Sequence, residues 1–194
     1  MLAPVRTVDA SATIVTLSEA KLHCRVDGSD EDTLISNLIT AAVSYLDGYS
    51  GILGRALITQ TWRVDFEAFE DVMRLPLGNL LSVLSVTYYD VNNTQQTLVN
   101  TVYSSLSDTG GPFIGLKTNQ SWPTTYLRPD AVRVTWTAGY GAAAANVPMP
   151  IRQAILLLVG HWYANREPVN VGNITSLLPM TVDALLSPFR RVTT

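Results

Sequence analysis

The stretch from Val147 to Pro168 constrains this chain more than any other, because it reads as one helix with too few polar positions for an exposed one. Pro148 and Pro150 sit in or just before a first turn, where backbone N–H groups have no helical partner anyway. Pro168 is expected to stop the helix, since the residue before a proline is pushed out of the α region. Ile151, Ala154, Ile155, Leu158, Trp162 and Asn165 follow helical spacing on one face, while Leu156, Leu157, Val159 and Tyr163 make the other side apolar too. A helix of this kind is buried on several sides. The apolar run Ala154 to Gly160, flanked by Arg152 and His161, is too short to span a bilayer. Its second face therefore needs protein, from this chain or from a neighbouring subunit.

The rest of the composition agrees with extensive burial. Apolar residues make up 47% of the 194 residues and charged residues 15%, against about a quarter charged in an ordinary soluble domain. One domain, or one domain with a sizeable insertion, is the expectation for this length. The net charge of −3 gives no bulk electrostatic footprint for nucleic acid. A single cysteine, Cys24, excludes an internal disulfide and a thiolate metal cluster. Met1 to Arg6 shows no signal-peptide apolar core, so a product made in the cytoplasm is expected.

Along the chain, residues 1–15 read as a loose, flexible arm without periodicity. Ser18 is expected to cap a short helix, with Leu17 and Leu22 at the staple positions, ending near Asp27-Gly28. Ser29 is expected to cap the next, with Asp32 in a first turn that favours negative charge. Leu34, Ile35, Leu38, Ile39, Ala42, Tyr45, Leu46 and Tyr49 keep helical spacing, and Gly48, Gly51 and Gly54 offer left-handed C-terminal positions. From Ala56 the period changes to two. Trp62, Val64 and Phe66 alternate with Arg63 and Asp65, and Val83 to Tyr89 alternates likewise. Asn92-Asn93-Thr94 reads as a turn with Thr97 to Tyr103 as its returning strand. Asp108 to Pro112 is a further turn, and Phe113–Lys117 and Val132–Thr137 two more strands. Residues 56–140 thus suggest five or six antiparallel strands inserted between helices. A polar linker, Val169 to Ser176, then leads to a short terminal helix, Thr181 to Leu186.

No constellation argues for catalysis or a metal. Cys24 with His23 or His161 could be read as a nucleophile and base, but neighbouring helix positions do not face each other and no nucleophile signature surrounds them. Asp27, Asp30, Glu31 and Asp32 lack the glycine and the twelfth-position glutamate of a calcium loop. Gly48, Gly51 and Gly54 lack the lysine of a phosphate loop. Arg128, Arg133, Arg152, Arg166, Arg190 and Arg191 are dispersed. No cofactor is expected.

The order of pieces carries a resemblance: Glu19-Ala20-Lys21 and Arg25, Asp30-Glu31-Asp32, Leu34 to Gly54, Thr59-Gln60-Thr61-Trp62, a β insertion, Thr137 to Gly141, Val147-Pro148, the long helix ending Trp162 to Glu167, and Leu178-Pro179 followed by Leu185 to Arg190. Over about residues 17–191 this resembles the head–tail connector (adaptor, or head-completion) family of long-tailed phages and related gene-transfer particles. Phe189 stands where the family often has tyrosine before the terminal arginine. The resemblance implies a structural protein without enzymatic activity, in a ring commonly of twelve subunits beneath the portal protein and above the stopper or tail-completion protein. It places the protein at the head–tail junction of a phage-like particle, with double-stranded DNA passing through without sequence readout and no membrane. It also implies that the C-terminal segment reaches the portal.

The resulting expectation is an α+β chain. A helical bundle of three to four helices (16–55 plus 147–194) carries an inserted antiparallel β subdomain (56–146). Leu34, Leu38, Tyr45, Ile151, Ile155, Leu158, Trp162 and Tyr163 are the candidate bundle or subunit packing residues. Val182, Leu185, Leu186, Phe189, Arg190 and Arg191 are the candidate portal-docking residues. The rivals are a stopper or tail-terminator ring, which would be β-dominated, and a small hydrolase or ligand-binding module using His161 and Cys24.

Overall fold

In a computed structural model that describes residues 1–166 and 180–191, the chain is α+β, with α-helices packed beside two antiparallel sheets. Helix α1 (Leu17–Cys24) begins two residues earlier than its sequence signals suggest. Its cap is Thr16, not Ser18: Thr16 Oγ1 accepts from Glu19 N–H at 3.2 Å and Glu19 Oε2 accepts from Thr16 N–H at 2.7 Å, a complete capping box. The residues before and four after that cap, Val15 and Ala20, are buried, while Leu22 is 82% exposed. The helix closes on Arg25 in the left-handed region (φ 59°), short of Asp27-Gly28.

Helix α2 (Asp32–Leu46) starts from Glu31 rather than Ser29, with no side-chain cap, and Asp32 occupies the first turn as expected. Of the three glycines after it, Gly48 and Gly54 have positive φ and Gly51 does not. Helix α3 (Met149–Ala164) follows Pro148 and is closed by Asn165, whose N–H donates to His161 O at 3.0 Å. The stop at Pro168 and the linker 169–176 lie outside the described residues. Helix α4 (Met180–Leu186) continues into a 3₁₀ turn, Ser187–Phe189.

Eight strands are seen among the described residues: β1 (Val5–Val8), β2 (Gln60–Phe66), β3 (Val72–Arg74), β4 (Leu80–Tyr89), β5 (Gln95–Thr97), β6 (Tyr103–Asp108), β7 (Gly111–Leu116) and β8 (Val132–Ala138). They form one sheet in the order β1-β2-β8-β4-β5 and a second in the order β3-β7-β6. Trp62 pairs with Trp136, Val64 with Val134 and Phe66 with Val132. The period of two then puts all six on the inner face.

Three sequence expectations need correcting here. The arm contains β1, which pairs with β2, and Leu2 N–H donates to Asp65 O at 2.7 Å. Because β1 buries none of its own side chains, backbone hydrogen bonding holds it and no hydrophobic alternation betrays it. Thr97 to Tyr103 is not one strand. β5 ends the first sheet at Thr97, Leu98 folds inward, and β6 opens the second sheet at Tyr103. The five or six strands expected within 56–140 are seven, divided between two sheets, since β3 was too short to show a period.

The buried apolar residues fall into two clusters. One gathers Ile14, Ile35, Ile39, Leu46, Leu53, Ile151, Ile155, Leu158, Val182 and Leu186 from the helices and their connections. The other lies between the sheets and includes Trp62, Phe66, Met73, Leu75, Ile114, Val134 and Trp136. Stacking of Phe69 on Trp122 (ring centroids 4.7 Å apart) closes one end of the second cluster.

Candidate interaction surfaces

The groups that could carry chemistry are not assembled. Cys24 is half-buried, and burial pushes its thiol above the ordinary range, opposite to what an activated nucleophile needs. His23 lies against Gly160 of α3: a Cβ there would stand 3.0 Å from His23 Nε2. Among the described residues no three His, Cys, Asp or Glu side chains are placed to hold a metal ion. No described helix is long and apolar enough to cross a membrane.

The candidate packing residues divide. Ile151, Ile155 and Leu158 are buried in the helical cluster, with Trp162, Tyr163 and Leu38 packed at its margin. Leu34 is half-buried outside it, and Tyr45 is 40% exposed, touching Trp162 edge-on with centroids 6.4 Å apart. The buried stripe of α2 is instead Ile35, Ile39, Ala42 and Leu46. Both sets have helical spacing one residue apart, and a step of one residue turns the helix by about 100°. Only the packing of α1 and α3 selects between them. Tyr163 adds a polar tie: its hydroxyl donates to Glu31 Oε2, and Arg166 bridges Glu31 at 2.5 Å. These bonds hold the Glu31 carboxyl below its usual range and fasten the end of α3 to the start of α2.

The terminal segment is folded onto its own chain in this conformation. Val182 and Leu186 are fully buried in the helical cluster, with Leu185 and Phe189 half-buried against it. Arg190 bridges Asp183 at 2.7 Å, Arg191 N–H donates to Leu53 O at 3.1 Å, and Arg55 Nε donates to Phe189 O at 2.7 Å. Two of the four apolar anchors are thus occupied from within.

Most arginines are locally neutralised. Arg128 bridges Asp130 at 2.6 Å, Arg133 bridges Asp65 at 2.8 Å and Arg152 bridges Glu19 at 2.7 Å. Arg74 grips Asp108 through both Nη atoms, at 2.8 and 2.9 Å, and its guanidinium holds that carboxyl down to about 2.

Two residues that the sequence did not single out sit where the helical and sheet clusters meet. Asp47, just after α2, accepts from Leu57 N–H and from Gln60 Nε2, both at 2.7 Å, and lies 3.4 Å from Arg6 Nη1. Burial nevertheless raises its carboxyl above the ordinary value. Arg55 follows Gly54 at the same junction, where Gly48 N–H donates to Arg55 O at 2.8 Å. The glycines around both residues were legible, but not the charges they serve.

Compared with known structures, the chain is similar over its full length to one from the neck of an empty GTA particle solved with C6 symmetry. The identity is 22%, the match covers 100% of this chain and 97% of that one, and the TM-score is 0.79. A chain of the virion of a native gene transfer agent particle matches with 22% identity, the same coverage and a TM-score of 0.78. A chain from the neck of the native particle solved with C12 symmetry matches with 20% identity, again with that coverage, and a TM-score of 0.76. At these identities the likeness establishes the fold. No curated protein matches the chain by sequence. The model of the phage gp6-like head–tail connector proteins matches residues 14–110, half of the chain, spanning α1, α2 and the strands to the β6–β7 turn. The chain therefore belongs to the phage gp6-like head–tail connector family, a family of structural proteins and not of enzymes.

Proposed function

We propose that this protein is the adaptor subunit of a head–tail connector. Twelve copies form a ring between the portal protein and the stopper or tail-completion protein of a tailed phage or gene-transfer particle, and double-stranded DNA passes through. The observation that carries this reading is the correspondence of the whole chain, 100% against 97%, with chains of particle necks, one of them solved with C12 symmetry. The paired arginines support passage without sequence readout, because a cation already bound to a carboxylate releases few counterions on meeting a phosphate.

In this reading the helical bundle, 16–55 plus 147–194, and the inserted β subdomain, 56–146, are separate working parts, with residues 1–15 as an added arm. The separation of the two apolar clusters supports that division. The C-terminal segment is the portal-docking element. Since Val182 and Leu186 are core residues in this conformation, docking uses the segment's outer side, with Arg190 and Met180 exposed, or else the helix leaves the core.

Negative-stain microscopy of the neck, combined with mass measurement of the isolated connector, tests the reading. A ring with a central hole and a mass of twelve chains is the expected result. A connector lacking this chain, or particles with intact necks when it is deleted, would sink it.

A further inference from the structure

Pairing off the charges leaves two unpaired arginines side by side in one cleft. Among the described residues, every arginine has a carboxylate within bridging distance except Arg25, Arg55 and Arg191. Arg55 and Arg191 share a cleft of about 350 Å³ beside the β6–β7 turn. Glycines there let the guanidinium groups close in. A Cβ on Gly78 would stand 2.9 Å from Arg55 Nη1, and one on Gly111 would stand 3.0 Å from Arg191 Nη2. The acceptors these two cations do have are carbonyl oxygens, Phe189 O for Arg55 and Gly110 O for Arg191, and Arg191 Nε is buried with none. Burial, then the charges of Arg55 and Arg74, push Arg191 below its ordinary value. The nearby carboxylates are already engaged, Asp108 by Arg74 and Asp183 by Arg190. A recess that holds like charges together attracts an anion, and a guanidinium fork best fits a carboxylate taken by two N–H groups. Asp108, which lines the cleft, disfavours the continuous phosphate array of a duplex.

The chain carries an unpaired acidic element of the right kind. Asp27-Gly28-Ser29-Asp30, between α1 and α2, is exposed at all four positions, and neither aspartate is in an ion pair among the described residues. It precedes α2, whose 15 residues span roughly 22 Å. Arg55 lies at the other end of that helix, bonded to Gly48. The acidic turn is therefore remote from the cleft of its own chain. Of the other described acids outside ion pairs, Asp90 is taken up by Asn92 N–H, Thr94 N–H and Gln96 Nε2 in its own turn, while Glu67, Glu70 and Asp71 come just before β3, which ends at Arg74 beside the cleft, and so share a side with it.

We propose that the Arg55–Arg191 cleft receives the acidic turn Asp27–Asp30 of a second copy of this chain. The inference rests on the ring reading above and names the contact that closes the ring. A head-to-tail contact between two different patches, repeated by rotation, generates a closed ring, and α2 carries its negative patch at one end and its positive patch at the other. Leu22 beside the turn and Tyr49 beside Arg191 supply apolar contact next to the charges.

The test uses rings of the full chain whose mass has first been measured. Cysteines are placed at Ser29→Cys and Thr109→Cys, both exposed, in a Cys24→Ser background, and joined with a short bismaleimide. The expected product is a ladder from dimer to the full ring, with nothing beyond dimer from either single-site variant. Asp27→Lys with Asp30→Lys should reduce the ladder at least tenfold, Arg55→Glu should do the same, and an equal mixture of the two proteins should restore it. The acidic-turn variant alters exposed positions only, so it tests the contact even where Arg55→Glu fails to fold. Rings that give no product beyond dimer, or that ignore the acidic-turn reversal, overturn the proposal and leave the ring reading intact. Loss on Arg55→Glu alone also overturns it and points to another anion. Absence of any ring overturns both.

Discussion

The helical cluster draws on residues from 14 to 58, 147 to 159 and 182 to 186, whereas the sheet cluster draws on Ala56 and the single stretch from Trp62 to Ala138. The first is mainly aliphatic and forms only when the two ends of the chain meet. The second is built on antiparallel pairs such as Trp62 with Trp136 and holds most of the buried aromatic rings. Damage to the C-terminal end should therefore reach the helices first, and damage to a strand should stay in the sheets. The helical part also carries the terminal segment proposed to meet the portal, so its stability and its outer contacts draw on the same residues.

The largest expected effect comes from deleting residues 180–194. Val182 and Leu186 are each fully buried, and such side chains are worth roughly 1.5–3 kcal/mol apiece, so the helical cluster should lose on the order of 3–6 kcal/mol. Circular dichroism at helical wavelengths should show earlier melting while the environment of Trp136 persists. Wild-type melting after truncation would break the comparison at its root.

Trp136→Ala, in the sheet cluster, should cost about 3–5 kcal/mol, and Leu158→Ala, in the helical one, about 2–5 kcal/mol. Denaturant unfolding of the two single variants and the double variant sharpens the point. If the clusters are energetically separate, the losses should add to within about 0.5 kcal/mol. A larger coupling would mean that the junction at Asp47 ties them together. Thr16→Ala removes the capping box of α1 and should cost about 0.5–2 kcal/mol, read by the same measurement.

The smallest effects separate the regions by pH. Asp108, in the second sheet, has a carboxyl held down to about 2. Its stabilisation is complete above the unfolded value, about 3.9, and is lost as pH falls toward the folded value. Asp47, beside the helical cluster, is shifted the other way by burial. Its ionised form opposes folding at neutral pH, and that cost is relieved as pH falls through its raised folded value. Asp108→Asn should flatten the acid limb of stability, and Asp47→Asn the limb just above the usual carboxylate range. Superimposable pH profiles for the two variants would contradict the opposite signs.

What the sequence by itself determined are the features with a local cause. A long apolar α3 between proline and Asn165, an amphipathic α2, and alternating strands at 60–66, 80–89 and 132–138 follow from periodicities of 3.6 and 2. The order of these pieces was enough to suggest the connector family. Only the tertiary structure decided the rest. It chose Ile35, Ile39, Ala42 and Leu46 over the equally periodic set with Leu34 and Tyr45, because a helix carrying apolar residues on two adjacent stripes buries whichever one its neighbours cover. It turned the arm into a strand through backbone hydrogen bonds that leave no side-chain pattern. It brought Arg55 and Arg191 into one cleft, although they are 136 positions apart in sequence. Charge clustering of that kind depends on where chain ends come together, and no local periodicity records it.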